Sequence, residues 1–136
     1  MFVLNENDRI EYVACEPNKV KLEWNKLFRD IKKLRKAKLN ILEVFYYAAF
    51  IHLVFLKIHP LQDGNGRTAR LIEKWFLREI IGQEAISIEL EKNYYSNKPK
   101  YYNNIRRIGL EYEKLDYSKS LKFLLMTVNS LKKAKK

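Results

Sequence analysis

The chain opens with two short runs of clustered or alternating apolar residues, Met1 to Leu4 and Arg9 to Ala14, separated by Asn5-Glu6-Asn7-Asp8. Asn and Asp favour turns, so the pattern predicts a β-hairpin over residues 1–14. Glu16-Pro17-Asn18 then breaks the second strand and offers Asn18 as a helix N-cap. From Val20 onward Leu22, Trp24, Leu27, Phe28, Ile31 and Leu34 keep mostly helical spacing. Lys32, Lys33, Arg35, Lys36 and Lys38 gather at the end of that helix, where cations suit its dipole, so they read as a solvated helix end. Asn40 can cap the next segment, LEVFYYAAFIHLVFLKI, which is apolar nearly all round, as the central helix of a bundle must be. It stops at His59-Pro60, because the residue before a proline is pushed out of the α region. A polar loop follows, then a helix from Gly66 to Ile81 ending at Gly82. Ala85 to Leu90 matches neither period. Helices are expected over Lys100 to Leu115 and Ser118 to Leu131, with a basic tail at 132–136. The expected fold is all-α: a helical bundle carrying one small N-terminal hairpin, in a single domain spanning 1–136.

Composition narrows the class. The 136 residues suffice for one core, and 47% hydrophobic content with four Gly and three Pro excludes disorder and collagen. Cys15 is alone, which excludes a disulfide scaffold and fits a reducing compartment. The N-terminus is polar by its sixth residue and resembles no signal peptide. The uncharged run from Val44 to Leu56 is too short to cross a bilayer, so a cytoplasmic protein with no membrane partner is expected. The net charge of +11 implies an anionic partner: nucleotide, nucleic acid or acidic protein.

The informative residues run from His59 to Arg70: HPLQDGNGRTAR. Gly64 and Gly66 flank Asn65 at the opening of a helix, let a ligand approach the backbone, and leave N–H groups pointing at an anion. Arg67 and Arg70 share a helical face where a polyphosphate would lie. Asp63 is a hard oxygen ligand suited to Mg²⁺ shared with phosphates. His59 titrates near working pH and can accept a proton from an attacking hydroxyl. Base, metal ligand, anion cradle and two guanidinium groups describe nucleotidyl or phosphoryl transfer.

This stretch resembles the signature of the Fic family, H-P-F-x-D/E-G-N-G-R-x-x-R, departing only at Leu61, an apolar replacement for the phenylalanine that anchors the loop in the core. The likeness extends to the hairpin, which matches the family's flap, and to KPKYYNNI and SKSLKFLL, which match its nucleotide-side and closing helices. Family cores usually begin with a helix before the flap, so a minimal or shortened version is expected. The resemblance implies transfer of AMP from ATP to a Ser, Thr or Tyr hydroxyl of a target protein, releasing pyrophosphate. It makes His59 the base and Asp63 the holder of Mg²⁺ between the α- and β-phosphates. Gly64, Asn65 and Gly66 become the anion hole, with Asn65 also contacting the α-phosphate; Arg67 is placed at the β-phosphate and Arg70 at the γ-phosphate. Tyr102 matches an aromatic beside the adenine, although a nearby family Asn is replaced around Gly109. The hairpin is expected to hold the target by strand-edge pairing.

Other residues have plainer readings. His52 reads as a satisfied core histidine, Lys74 and Arg78 as solvated, Cys15 as inert, and Tyr94, Tyr95, Tyr101 and Tyr102 as core or pocket aromatics rather than a nucleic-acid platform. Two alternative functions stay open. A Doc-like phosphoryl transferase would carry Lys where this chain has Gly66, and a non-catalytic basic nucleic-acid-binding module would need neither His59 nor Asp63. Many Fic proteins are held off by a helix bearing S/T-x-x-x-E-G/N, whose glutamate pairs with the arginine matching Arg70. Residues 1–58 contain no Ser or Thr, and downstream only Ser87 has a Glu four residues later, Glu91, followed by Lys92. Arg70 is therefore expected to stand unpaired, with restraint from an antitoxin-like inhibitory protein or an upstream segment.

Overall fold

The structure is a computed structural model and describes residues 2–4 and 7–134, with side chains to residue 130. Asn5 and Glu6 of the expected turn, Met1, and the side chains of the expected basic tail lie outside the described residues. Strands β1 (Phe2–Leu4) and β2 (Ile10–Val13) pair antiparallel, with Phe2 opposite Val13 and Val3 opposite Tyr12. The other edge of β2 is tied to the C-terminal half through Val13 N, which donates to Leu110 O at 2.6 Å, and an ion pair between Glu11 and Arg106.

Helix α1 (Val20–Lys36) is capped by Lys19 and not by Asn18. Lys19 N donates to Glu16 O at 2.9 Å, so a turn absorbs Asn18 and places it one residue too early. Helix α2 (Ile41–Ile58) begins on a reciprocal cap: Glu43 N donates to Asn40 Oδ1 at 2.9 Å, and Asn40 N to a Glu43 carboxylate oxygen at 3.0 Å. It is long and apolar enough to span a membrane, yet 61% of it is buried, packed among α1, α3 (Asn65–Ile81) and α6 (Leu121–Ala134). It is the core helix of the bundle.

Between α3 and α6 the chain is more broken than its pattern. A 3₁₀ turn over Gly82–Ser87 resolves the ambiguous stretch, and a short α4 (Leu90–Ser96) precedes α5 (Lys98–Arg107). The helix expected to reach Leu115 ends at Arg107 because Gly109 adopts φ 129°, outside any helical region. Two 3₁₀ turns, Tyr112–Lys114 and Tyr117–Lys119, delay the last helix from Ser118 to Leu121.

The core encloses a polar cluster. His52 shares one hydrogen bond with Glu73 at 2.6 Å and another with Tyr101 at 2.8 Å. Tyr94 donates to the Glu73 carboxylate at 3.0 Å, and Thr127 at 2.5 Å. Every member is buried and partnered, as a buried carboxylate requires. His52 is the satisfied core histidine its setting suggested. Cys15 is equally buried, and burial pushes its thiol pKa up, which makes it inert.

Candidate active site

The site begins with a backbone defect at the end of α2. Pro60 has no N–H, so the Leu56 carbonyl loses the donor that would close the last helical turn. The Tyr12 hydroxyl, arriving on β2, donates to that carbonyl at 3.0 Å. His59 then turns into the left-handed region, φ 54° and ψ 58°, and ends the helix. Its Nδ1 lies 3.2 Å from the same Tyr12 hydroxyl. The ring is half-buried, and burial holds its pKa below the ordinary histidine value, with the Leu56 carbonyl opposing the shift. At neutral pH it is an uncharged base.

The loop between α2 and α3 is fastened by Asn65. Its Oδ1 accepts from Leu61 N at 3.0 Å and its Nδ2 donates to Leu61 O at 2.7 Å. Leu61 itself is 37% exposed, so the loop is held by this backbone clamp and not by an apolar anchor in the core. Gly64 sits at φ 80°, a conformation that favours glycine, and delivers the chain into α3. The N–H groups of the first turn of α3 have no acceptor within their own helix, and with the dipole they can receive an anion. Asp63 stands over them, fully outward; its carboxylate accepts from Gly64 N at 2.8 Å and from Arg67 at 3.3 Å.

Arg67 is exposed, whereas Arg70, one turn on, is only 24% exposed. Arg70 is not unpaired, as the sequence led us to expect: its guanidinium lies 3.9 Å from the Glu91 carboxylate. Glu91 is 81% exposed, and so loose and solvated a pair is worth at most about 1 kcal/mol. It cannot close the site to a polyphosphate.

Besides a cavity of about 230 Å³ that Arg70 lines with Glu91, Tyr95 and Tyr102, two others meet at Arg70. In the smaller, about 120 Å³, His59, Asn65, Gly66 and Arg70 face Tyr12, Tyr101 and Tyr102. The larger, about 790 Å³, runs along Arg67, Arg70, Leu71 and Lys74 toward Ile88 and Leu90. The structure thus brings His59, Asn65, Gly66, Arg70 and Tyr102 around one space and sets Arg67 beside it, while Asp63 and Gly64 line neither cavity. Lys74 is not the solvated residue its helical stripe suggested, because its ammonium binds the carbonyls of Ile86 and Ile88 and fixes the segment after α3. Tyr12 and Glu73 carry structural weight at this site, and local periodicity holds no signal for either.

The model of the Fic/DOC family matches residues 3–77, from the first strand through most of α3 and more than half of the chain. The chain belongs to the Fic/DOC family. No curated protein and no solved structure matches it. As a Fic/DOC member it is, in general terms, a Fic-type protein transferase. The matched span takes in most of the hairpin, the central helix and the whole His59–Arg70 stretch.

Proposed function

We propose that this Fic/DOC domain is a protein adenylyltransferase, moving AMP from ATP to a Ser, Thr or Tyr hydroxyl of a target protein. One observation carries the choice of AMP over a phosphoryl group. Gly66 has no backbone need to be glycine, since its φ is not positive and an added Cβ would meet only Arg70 Nη1, at 3.4 Å. The fold would accept a side chain there, so the missing one supports keeping the N-terminus of α3 clear for the nucleotide. The lysine of the Doc branch would fill that space.

In this reading His59 removes the proton from the target hydroxyl, whose oxygen attacks the α-phosphorus. The bond from that phosphorus to the bridging oxygen breaks and pyrophosphate leaves with the electron pair. The α3 N–H groups hold the negative oxygens of the α-phosphate, while Arg67 and Arg70 take the β- and γ-phosphates. Asn65 serves by clamping the loop, since its side chain is engaged with Leu61. Tyr102 borders the adenine.

Mg²⁺ carried with the nucleotide would neutralise phosphate charge. Asp63 fits such an ion, being a single outward carboxylate beside an anion site, and Mg²⁺ typically keeps most of its shell as water and phosphate oxygen. The free edge of β1, flanked by exposed Phe2 and Leu4, supports docking of an extended target segment. Deleting the hairpin is a poor test of this, because Tyr12 and Ala14 belong to the core. Since the Glu91 contact is weak, restraint is assigned to a separate antitoxin-like protein.

The test is the mass of the product. Target proteins incubated with the domain and Mg·ATP should gain an adenylyl group on a hydroxyl side chain, and none with the His59→Ala variant. A phosphoryl adduct would establish the Doc-like reaction instead.

A further inference from the structure

His59 has two ring nitrogens, and only one that lacks a proton can act as a base. Which one it is follows from the hydrogen bonds around Tyr12. The Leu56 carbonyl can only accept, so the Tyr12 hydroxyl at 3.0 Å donates its one proton there. Toward Nδ1, at 3.2 Å, the same oxygen can then only accept, and the proton of that bond belongs to the histidine. A neutral imidazole protonated at Nδ1 carries its lone pair on Nε2.

We propose that Tyr12 is a positioning residue that holds His59 in the Nδ1-protonated tautomer, leaving Nε2 as the basic nitrogen. The hydroxyl has little freedom to do otherwise. Tyr12 is 3% exposed, its ring meets the His59 ring edge-on at 6.0 Å, and the Lys57 ammonium lies 4.4 Å from its face. Lys57 is itself fixed by donating to Gly109 O at 3.1 Å. The chain of causes starts at Pro60: the missing N–H frees a buried carbonyl, the carbonyl takes the tyrosine proton, and the tyrosine selects the tautomer. A histidine in water prefers the opposite one, with Nε2 protonated and unable to accept.

The catalytic part of this inference rests on His59 being the base, but the tautomer does not, so the two can fail separately. Two-bond ¹H–¹⁵N correlation spectra of the nucleotide-free, ¹⁵N-labelled protein at neutral pH give the tautomer directly. We expect Nδ1 at the protonated position and Nε2 at the unprotonated one in the wild type. In Tyr12→Phe the signals should move toward the Nε2-protonated form, with transfer slower by on the order of tenfold at unchanged ATP affinity. An Nε2-protonated wild type, or a folded Tyr12→Phe with the wild-type tautomer, would overturn the proposal. If Tyr12→Phe does not fold, the wild-type spectrum decides alone. The expected tautomer shift in a protein that transfers no nucleotide would uphold the positioning role and remove the adenylyltransferase reading.

Discussion

Gly66→Ala separates a glycine kept for the fold from one kept for the ligand. Gly66 is the second residue of α3, and its φ is not positive, so alanine meets no backbone strain there. The added methyl would touch only Arg70 Nη1, at 3.4 Å, the end of a flexible side chain that can yield a few tenths of an ångström. Replacing glycine by alanine in a helix gains up to about 1 kcal/mol, less in the first turn than in the middle. The variant should melt no lower than the wild type and up to about 4 °C higher. If the domain transfers AMP as proposed, transfer should nonetheless fall, on the order of a hundredfold, because the methyl would stand in the path of the α-phosphate to the α3 N–H groups. Gly64→Ala is the control: at φ 80° a Cβ costs about 1–2 kcal/mol, so that variant should melt several degrees lower. Scanning calorimetry and a transfer assay on the same preparations read both effects. A Gly66→Ala protein melting more than about 4 °C below wild type would make the glycine structural, and one with wild-type transfer would leave the AMP reading without its main support.

His59→Ala should abolish transfer while changing ATP affinity less than about twofold, since the base acts on the target hydroxyl. In the wild type the acid limb of the rate should fall below the ordinary histidine value of about 6.5, because burial depresses the ring's pKa and the proton is already lost there; a limb above that value would contradict a neutral, half-buried base. Burial likewise lowers the Lys57 pKa from 10.5 to about 8. Between those values the unfolded chain keeps a proton that the folded chain has released, so stability should rise with pH by up to about 3 kcal/mol. The wild-type-minus-Lys57→Met difference in denaturant unfolding isolates that rise, and a flat difference would refute it. Glu91→Gly should raise auto-modification less than about fivefold, the equivalent of about 1 kcal/mol, and a larger activation would show Glu91 to be an internal inhibitor.

What could be read from the sequence was whatever is decided locally. Asn40 and Glu43 announce the start of α2, Pro60 announces its end, and the spacing from His59 to Arg70 places the signature residues on the turn after α2 and the first two turns of the next helix. What could not be read was decided by distant partners. Glu73 looks like one more surface carboxylate on α3, yet Thr127, 54 positions away, and Tyr94 come to bury it with His52. Lys57 looks like the polar end of an apolar helix until Gly109 and the Tyr12 ring close over it. Leu61 was expected to hold the loop through its side chain, but a hydrogen-bonded Asn can do so through backbone alone. The Arg70–Glu91 contact needed α4, a seven-residue helix too short to register as a period.

The central claim is that this site moves the AMP part of ATP, and the position of a radiolabel tests it most directly. The domain is incubated with Mg²⁺, a lysate of its own cells, and ATP labelled at either the α- or the γ-phosphate. Label entering protein from the α position alone, and lost in His59→Ala, is the expected result. Label entering from the γ position instead would contradict adenylyl transfer and make this Fic/DOC domain a kinase of the Doc type.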